Sequence, residues 1–129
     1  MKRILIAGVL SLMSLSVYAK DTWIAKSEMI ESSKNFALVM GSKVQQKNVD
    51  PSMMPLTFAY QTADAVDLTV ANLLNAGWTC DNTANAIGGK MEIVLKDPTL
   101  TEIQHKMFKQ FQSSVVNYVY SKCADLGGK

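Results

Sequence analysis

The chain has 129 residues, with 13 Lys and Arg against 11 Asp and Glu, one His and two Cys. The formal charge of +2 resides in Lys2 and Arg3, so everything after them is neutral, and Arg3 is the only arginine. The remainder therefore lacks the long-range field that draws proteins to nucleic acid and the planar fork that grips phosphate, which argues against nucleic-acid binding, nucleotide binding and phosphoryl transfer.

Lys2 and Arg3 open a three-part export signal. The stretch from Ile4 to Val17 is apolar and uncharged, and Val17-Tyr18-Ala19 places small residues at the −3 and −1 positions of a cleavage site. The run is about 14 residues, short of the roughly 20 that cross a bilayer. Residues 1–19 are expected to be a cleaved signal peptide, with the cut between Ala19 and Lys20. Residues 20–129 are expected to be one helical domain in the bacterial periplasm or medium, with no stable membrane anchor after cleavage. No cysteine lies near the end of the run, which argues against a lipid anchor.

The first element is expected from about Thr22 to Lys47. Met29, Phe36, Met40 and Val44 recur at helical spacing, widened by Ile30, Ala37 and Leu38. Asp21, Thr22 or Ser27 supplies a cap, and Ser32-Ser33 and Gly41 are weak points where a bend is expected. Asn48-Val49-Asp50-Pro51 ends it.

The second helix opens near Asp50-Pro51 or Pro55 and follows Leu56, Ala59, Ala63, Val66, Val70, Leu73 and Leu74. Gly77 suits the left-handed position beyond its end. Asp64 and Asp67 read as a solvated polar face.

Residues 78–95 are ambiguous. Met91, Ile93 and Leu95 alternate as in a strand, whereas Met91, Val94 and Leu95 fit two turns of helix. Asp81 to Lys90 is rich in Asn, Thr, Ala and Gly and reads as a connector or an exposed contact loop.

The last helix starts after Asp97-Pro98, with Thr99-x-x-Glu102 as a capping-box pattern. Ile103, Met107, Phe111, Val115 and Tyr118 run down one face, and Phe108, Val116, Val119, Tyr120 and Cys123 broaden it. Gly127-Gly128 is expected to end the ordered chain. The fold expected is mainly α: a small bundle of three to four helices with one disulfide, with a short β-hairpin around 78–95 as the alternative.

Cys80 and Cys123 are the only cysteines, and in an oxidising compartment they are expected to pair. Closing a loop of this size contributes about 4 kcal/mol on the chain-entropy estimate. They are not spaced as the C-x-x-C of redox enzymes.

No residue pattern supports catalysis. His105, the one histidine, has no accompanying nucleophile motif and reads as a surface residue. A catalytic zinc site usually needs more than one histidine. Met29, Met40 and Met107 fall on core faces, leaving only Met53-Met54 without a packing role, so a copper site is not expected. No phosphate-loop pattern occurs. No metal or cofactor is expected.

Trp78-Thr79-Cys80-Asp81 resembles the Trp-Thr-Cys-acid run of the periplasmic acid-stress chaperone family, whose members are small, helical, exported and carry one disulfide. The likeness covers four residues. In that family the run lies near the mature N-terminus, whereas Trp78 lies near the middle of this chain. It supplies an alternative reading, an acid-stress holdase, and no membership.

The expected function is non-catalytic binding of another envelope or secreted protein. The role is that of an immunity or inhibitor protein, or of an accessory subunit of a secretion or conjugation apparatus. A hydrolase is the remaining alternative. Trp23, Trp78, Asn82, Asn85 and Ile87 are the candidate partner contacts, tryptophan because it is enriched at binding hot spots. Trp78 is expected in the core because Cys80 is adjacent, with partner contact as the alternative.

Overall fold

The structure, a computed structural model, describes residues 6–44 and 47–129, and for 6–21, 42 and 44 it describes the backbone alone. Lys2 and Arg3 of the expected signal lie outside the described residues, as do the side chains of Ala19, Lys20 and Val44. Four helices follow one another: α1 (Ile6–Met40), α2 (Met54–Asn75), α3 (Cys80–Leu95) and α4 (Glu102–Asp125). Short 3-10 turns, Gly41–Val44 and Pro51–Met53, lie between α1 and α2. Among the described residues there is no strand.

Each helix runs antiparallel to the one before it, and α4 packs antiparallel to α1 in the most extensive pairing of the bundle. Met29 of α1, Val70 of α2, and Val115, Tyr118 and Val119 of α4 are fully buried in the shared core. Burying such a side chain is worth about 1.5–3 kcal/mol. All four phenylalanines of the chain gather at one end of this core. Phe36 lies 4.9 Å from Phe108, 5.8 Å from Phe111 and 6.3 Å from Phe58, ring centre to ring centre. Phe108 and Phe111 meet edge to face, an arrangement that the ring quadrupoles favour.

The first helix differs from expectation at both ends. It runs unbroken through residues 19–20, and it ends at Met40 rather than Lys47 because Gly41 takes a left-handed φ of 59°. Ser32-Ser33 does not bend the helix into two. Ser32 Oγ donates to Met29 O and Ser33 Oγ to Ile30 O, so both hydroxyls are satisfied within the helix and Ser33 is buried.

Asp50 accepts from the N–H and hydroxyl of Ser52, and these hydrogen bonds hold its carboxyl below the usual range. This cap starts the 3-10 turn that leads into α2, with Pro55 in the first turn of the helix. Met54 is buried, so it has the packing role the sequence did not suggest, while Met53 is exposed. Gly77, with φ 92°, ends α2: its N–H donates to Leu74 O and that of Trp78 to Leu73 O.

Residues 80–95 form a helix, so the hairpin alternative and the reading of 81–90 as a loop are both corrected. Thr79 caps the helix by accepting from Asn82 N–H. Gly88 looks like a breaker but packs closely on α4: a Cβ there would sit 3.1 Å from Val116 Cγ2, a tight contact that Val116 would have to shift to relieve. Gln112 of α4 closes the same seam by donating to Gly88 O and to Glu92.

The start of α4 lies two residues beyond the expected box. Asp97 accepts from the N–H and hydroxyl of Thr99 and caps the preceding turn. Thr101 and Gln104 form the reciprocal capping box instead. Gln104 also donates to Val39 O, tying the start of α4 to the last turn of α1. Ile103 lies outside the buried stripe, half exposed.

Cys80 and Cys123 form the disulfide, with Cα atoms 5.7 Å apart. It joins the first residue of α3, not the end of α2, to the last turn of α4. Gly127-Gly128 does not end the order. Both glycines are held by hydrogen bonds to the end of α4.

Candidate functional site

α2 and α3 share few contacts. An open groove of about 390 Å³ lies between them. One wall is α2, through Thr62, Ala65 and Thr69; these short side chains do not bridge to the other side. The facing wall is α3, through Ile87, Met91 and Val94, spaced four and three residues apart on one helical face. Phe108, Phe111 and Val115 of α4 form the floor. Lys90 is the only charged residue in the lining. An apolar trough with a single cation at its edge can hold apolar side chains and fix one anionic group.

A second, polar depression lies between α1 and α4, where Glu28, Glu31 and Asn35 face Gln110 and Ser113. Among the described residues no group of three His, Cys, Asp or Glu is placed to hold a metal ion. His105 lies half-buried in the first turns of α4, rather than on the open surface.

Asp67 is not part of a solvated face. Its carboxylate accepts from Lys26 Nζ of α1 at 3.0 Å and from the hydroxyl of Tyr118 of α4. One carboxylate thus links three helices. Burial, followed by the hydrogen bond to Asp67 and its negative charge, pushes the Tyr118 phenol well above its ordinary range. Each carboxylate oxygen of Asp67 accepts from a donor on a different helix, which makes this a structural pin.

The five expected contact residues do not form one surface. Ile87 is half-buried and lines the groove. Asn82 and Asn85 are exposed on α3 outside the groove lining. Trp23 on α1 is 70% exposed and Trp78 is 42% exposed, both toward the disulfide end of the bundle. The core placement of Trp78 is therefore corrected: the left-handed turn at Gly77 leaves the indole outside while Cys80 turns inward. Sequence reasoning missed Lys90, Met91, Val94 and the phenylalanine floor. The spacing of Ile87, Met91 and Val94 carries the signal once the segment is read as a helix.

No family model, curated protein or solved structure matches the chain. Among the described residues no helix is long and apolar enough to cross a membrane.

Proposed function

We propose that the protein is exported and non-catalytic, and that it binds an amphipathic helix of another envelope or secreted protein in the groove between α2 and α3. The groove is the observation that carries this reading. From Thr62 to Thr69 and from Ile87 to Val94 its walls run roughly 10 Å each, at a rise of about 1.5 Å per residue, the length of two helical turns. A partner helix presenting apolar residues at i, i+3 or i+4 and i+7 fills such a trough. Lys90 at its edge favours a partner with an acidic residue beside that apolar row.

The position of the expected cleavage site supports the export half of the proposal. Lys26, Asp67 and Tyr118 mark one level of the bundle. From that level Lys20 lies about 9 Å along α1, and Asp125 lies about 10 Å along α4 in the same direction. Residues before Lys20 therefore continue past the end of the bundle, and their removal leaves the core in place. A new N-terminus there has Asp21 and Thr22 at hand as caps.

A photo-crosslinking residue at Lys90, in cells exporting the protein, tests the binding half. The expected result is a covalent adduct with one envelope protein, lost in Met91→Glu and absent when the crosslinker replaces Ser113 in the polar depression. No adduct at position 90, or equal adducts at both positions, overturns it. Intact mass of the exported chain is expected to begin at Lys20.

A further inference from the structure

The disulfide lies beneath the final residues of the chain. Cys123 is fully buried and Cys80 is 9% exposed. Beyond α4, Gly127 takes a left-handed φ of 79° and its N–H donates to Ala124 O at 3.0 Å. The N–H of Gly128 donates to Cys123 O at 2.8 Å. This turn folds Gly128 back over both sulfurs. A Cβ at position 128 would collide with Cys123 Sγ, and would lie 2.9 Å from Cys123 O and 3.0 Å from Cys80 Sγ. Those neighbours are backbone and a crosslinked pair, which cannot swing aside, so only glycine fits.

We propose that Gly127-Gly128-Lys129 is a lid over the disulfide, closed while the bridge is oxidised and released when it is reduced. Reduction by a dithiol begins with a thiolate approaching one sulfur in line with the S–S bond. A mixed disulfide forms and the other cysteine leaves as thiolate. The second thiol of the reductant then attacks the mixed disulfide, closing a cyclic disulfide and freeing the second cysteine. The protein gains two electrons and two protons, and the dithiol is oxidised. Gly128 occupies space beside both sulfurs, so the first attack waits on the lid. Two separate thiols also need more room than one bridge, and part of that room is the volume Gly128 fills. The lid therefore both protects the bridge and responds to its loss.

The test follows reduction of the oxidised, full-length protein by dithiothreitol, with alkylation and mass measurement of the thiols. Three chains are compared: the wild type, Gly128→Ala, and Val119→Ala, which weakens the core and leaves the lid intact. Each rate is corrected for that chain's own unfolding equilibrium from a denaturant curve. Access controls thiol exchange, so Gly128→Ala is expected to reduce about tenfold faster than wild type after correction. Val119→Ala is expected to match wild type. A chain ending at Gly127 is expected to behave as Gly128→Ala does, and serves if the alanine chain does not fold. Hydrogen exchange at the Gly128 amide is expected to rise when the wild type is reduced. Equal corrected rates for the lid variants and wild type overturn the proposal.

Discussion

Where α1 ends and α4 begins, four phenylalanine rings from three helices are linked by ring contacts of 4.9–6.3 Å. At the opposite end the closure is made of a disulfide and two glycine turns, with the carboxylate pin of Asp67 between the two ends. The contrast follows from α3. The phenylalanine end is built by α1, α2 and α4, each long enough to present a large apolar face. α3 has 16 residues; its buried residues are Cys80, Thr83 and Ala84, all small, with Ile87, Met91 and Leu95 only partly buried against the core. So few buried large apolar groups hold a helix weakly by burial alone. The covalent bridge fixes its N-terminus, and the open groove lies along its later turns.

Truncation at the phenylalanine end tests this contrast most severely. Phe36→Ala removes a ring that touches the other three and is expected to cost about 3–5 kcal/mol, read from denaturant midpoints. The effect should reach the whole bundle, because the cluster joins three helices. Replacing both cysteines by serine is expected to cost about 2–4 kcal/mol under oxidising conditions. Its mark should be local: amide exchange in α3 should accelerate well beyond that in α1. If α1 and α3 loosen equally, the view of α3 as a helix held chiefly by its bridge is wrong.

The pin between the two ends should have an intermediate effect. Asp67→Ala leaves the buried Tyr118 hydroxyl without its acceptor, and is expected to cost about 1–3 kcal/mol. Tyr118 also gives a pH signature. Its folded pKa is raised above the ordinary value of 10.0, so its contribution is fully present below pH 10 and is lost as pH climbs above it. The melting temperature of the wild type should fall above pH 10, and Tyr118→Phe should flatten part of that fall. An identical alkaline profile in the two chains would remove Tyr118 from the account.

A smaller change is expected from Thr101→Ala, which removes the cap of α4 and costs about 1 kcal/mol. Gln104→Ala should cost a similar amount through the lost bond to Val39 O. Thr99→Ala should cost less than Thr101→Ala, because Thr99 bonds to Asp97 in the turn before the helix.

Much of this fold is legible in the primary structure. The apolar period and Gly77 define α2, and the two cysteines leave a single pairing. What escapes reading has a physical reason in each case. Gly88-Gly89 resembles a break because glycine carries an intrinsic helix penalty, yet Gly88 answers to Val116, which lies far along the chain. Thr99 and Thr101 both precede an acceptable third residue, Glu102 or Gln104, and only the path of the turn selects between them. Asp67 looks solvated on its own helix because both donors come from other helices. Trp78 looks buried because Cys80 is near in sequence, but the turn between α2 and α3 separates them. Ile87 is the one expected contact that belongs to the groove, and its facing wall on α2 is invisible to local pattern.

The dominance of the α1–α4 pairing has a kinetic consequence. The helices α1 and α4 close on each other, so the core is incomplete until α4 has been synthesised. Contacts between such distant segments form late and slow the search for the native state. A nascent chain that presents α1, α2 and α3 alone has the pairing of α1 with α2 but lacks Phe108, Phe111, Val115, Tyr118 and Val119, and so has only part of its interior. The polypeptide should therefore acquire its native packing only once α4 arrives.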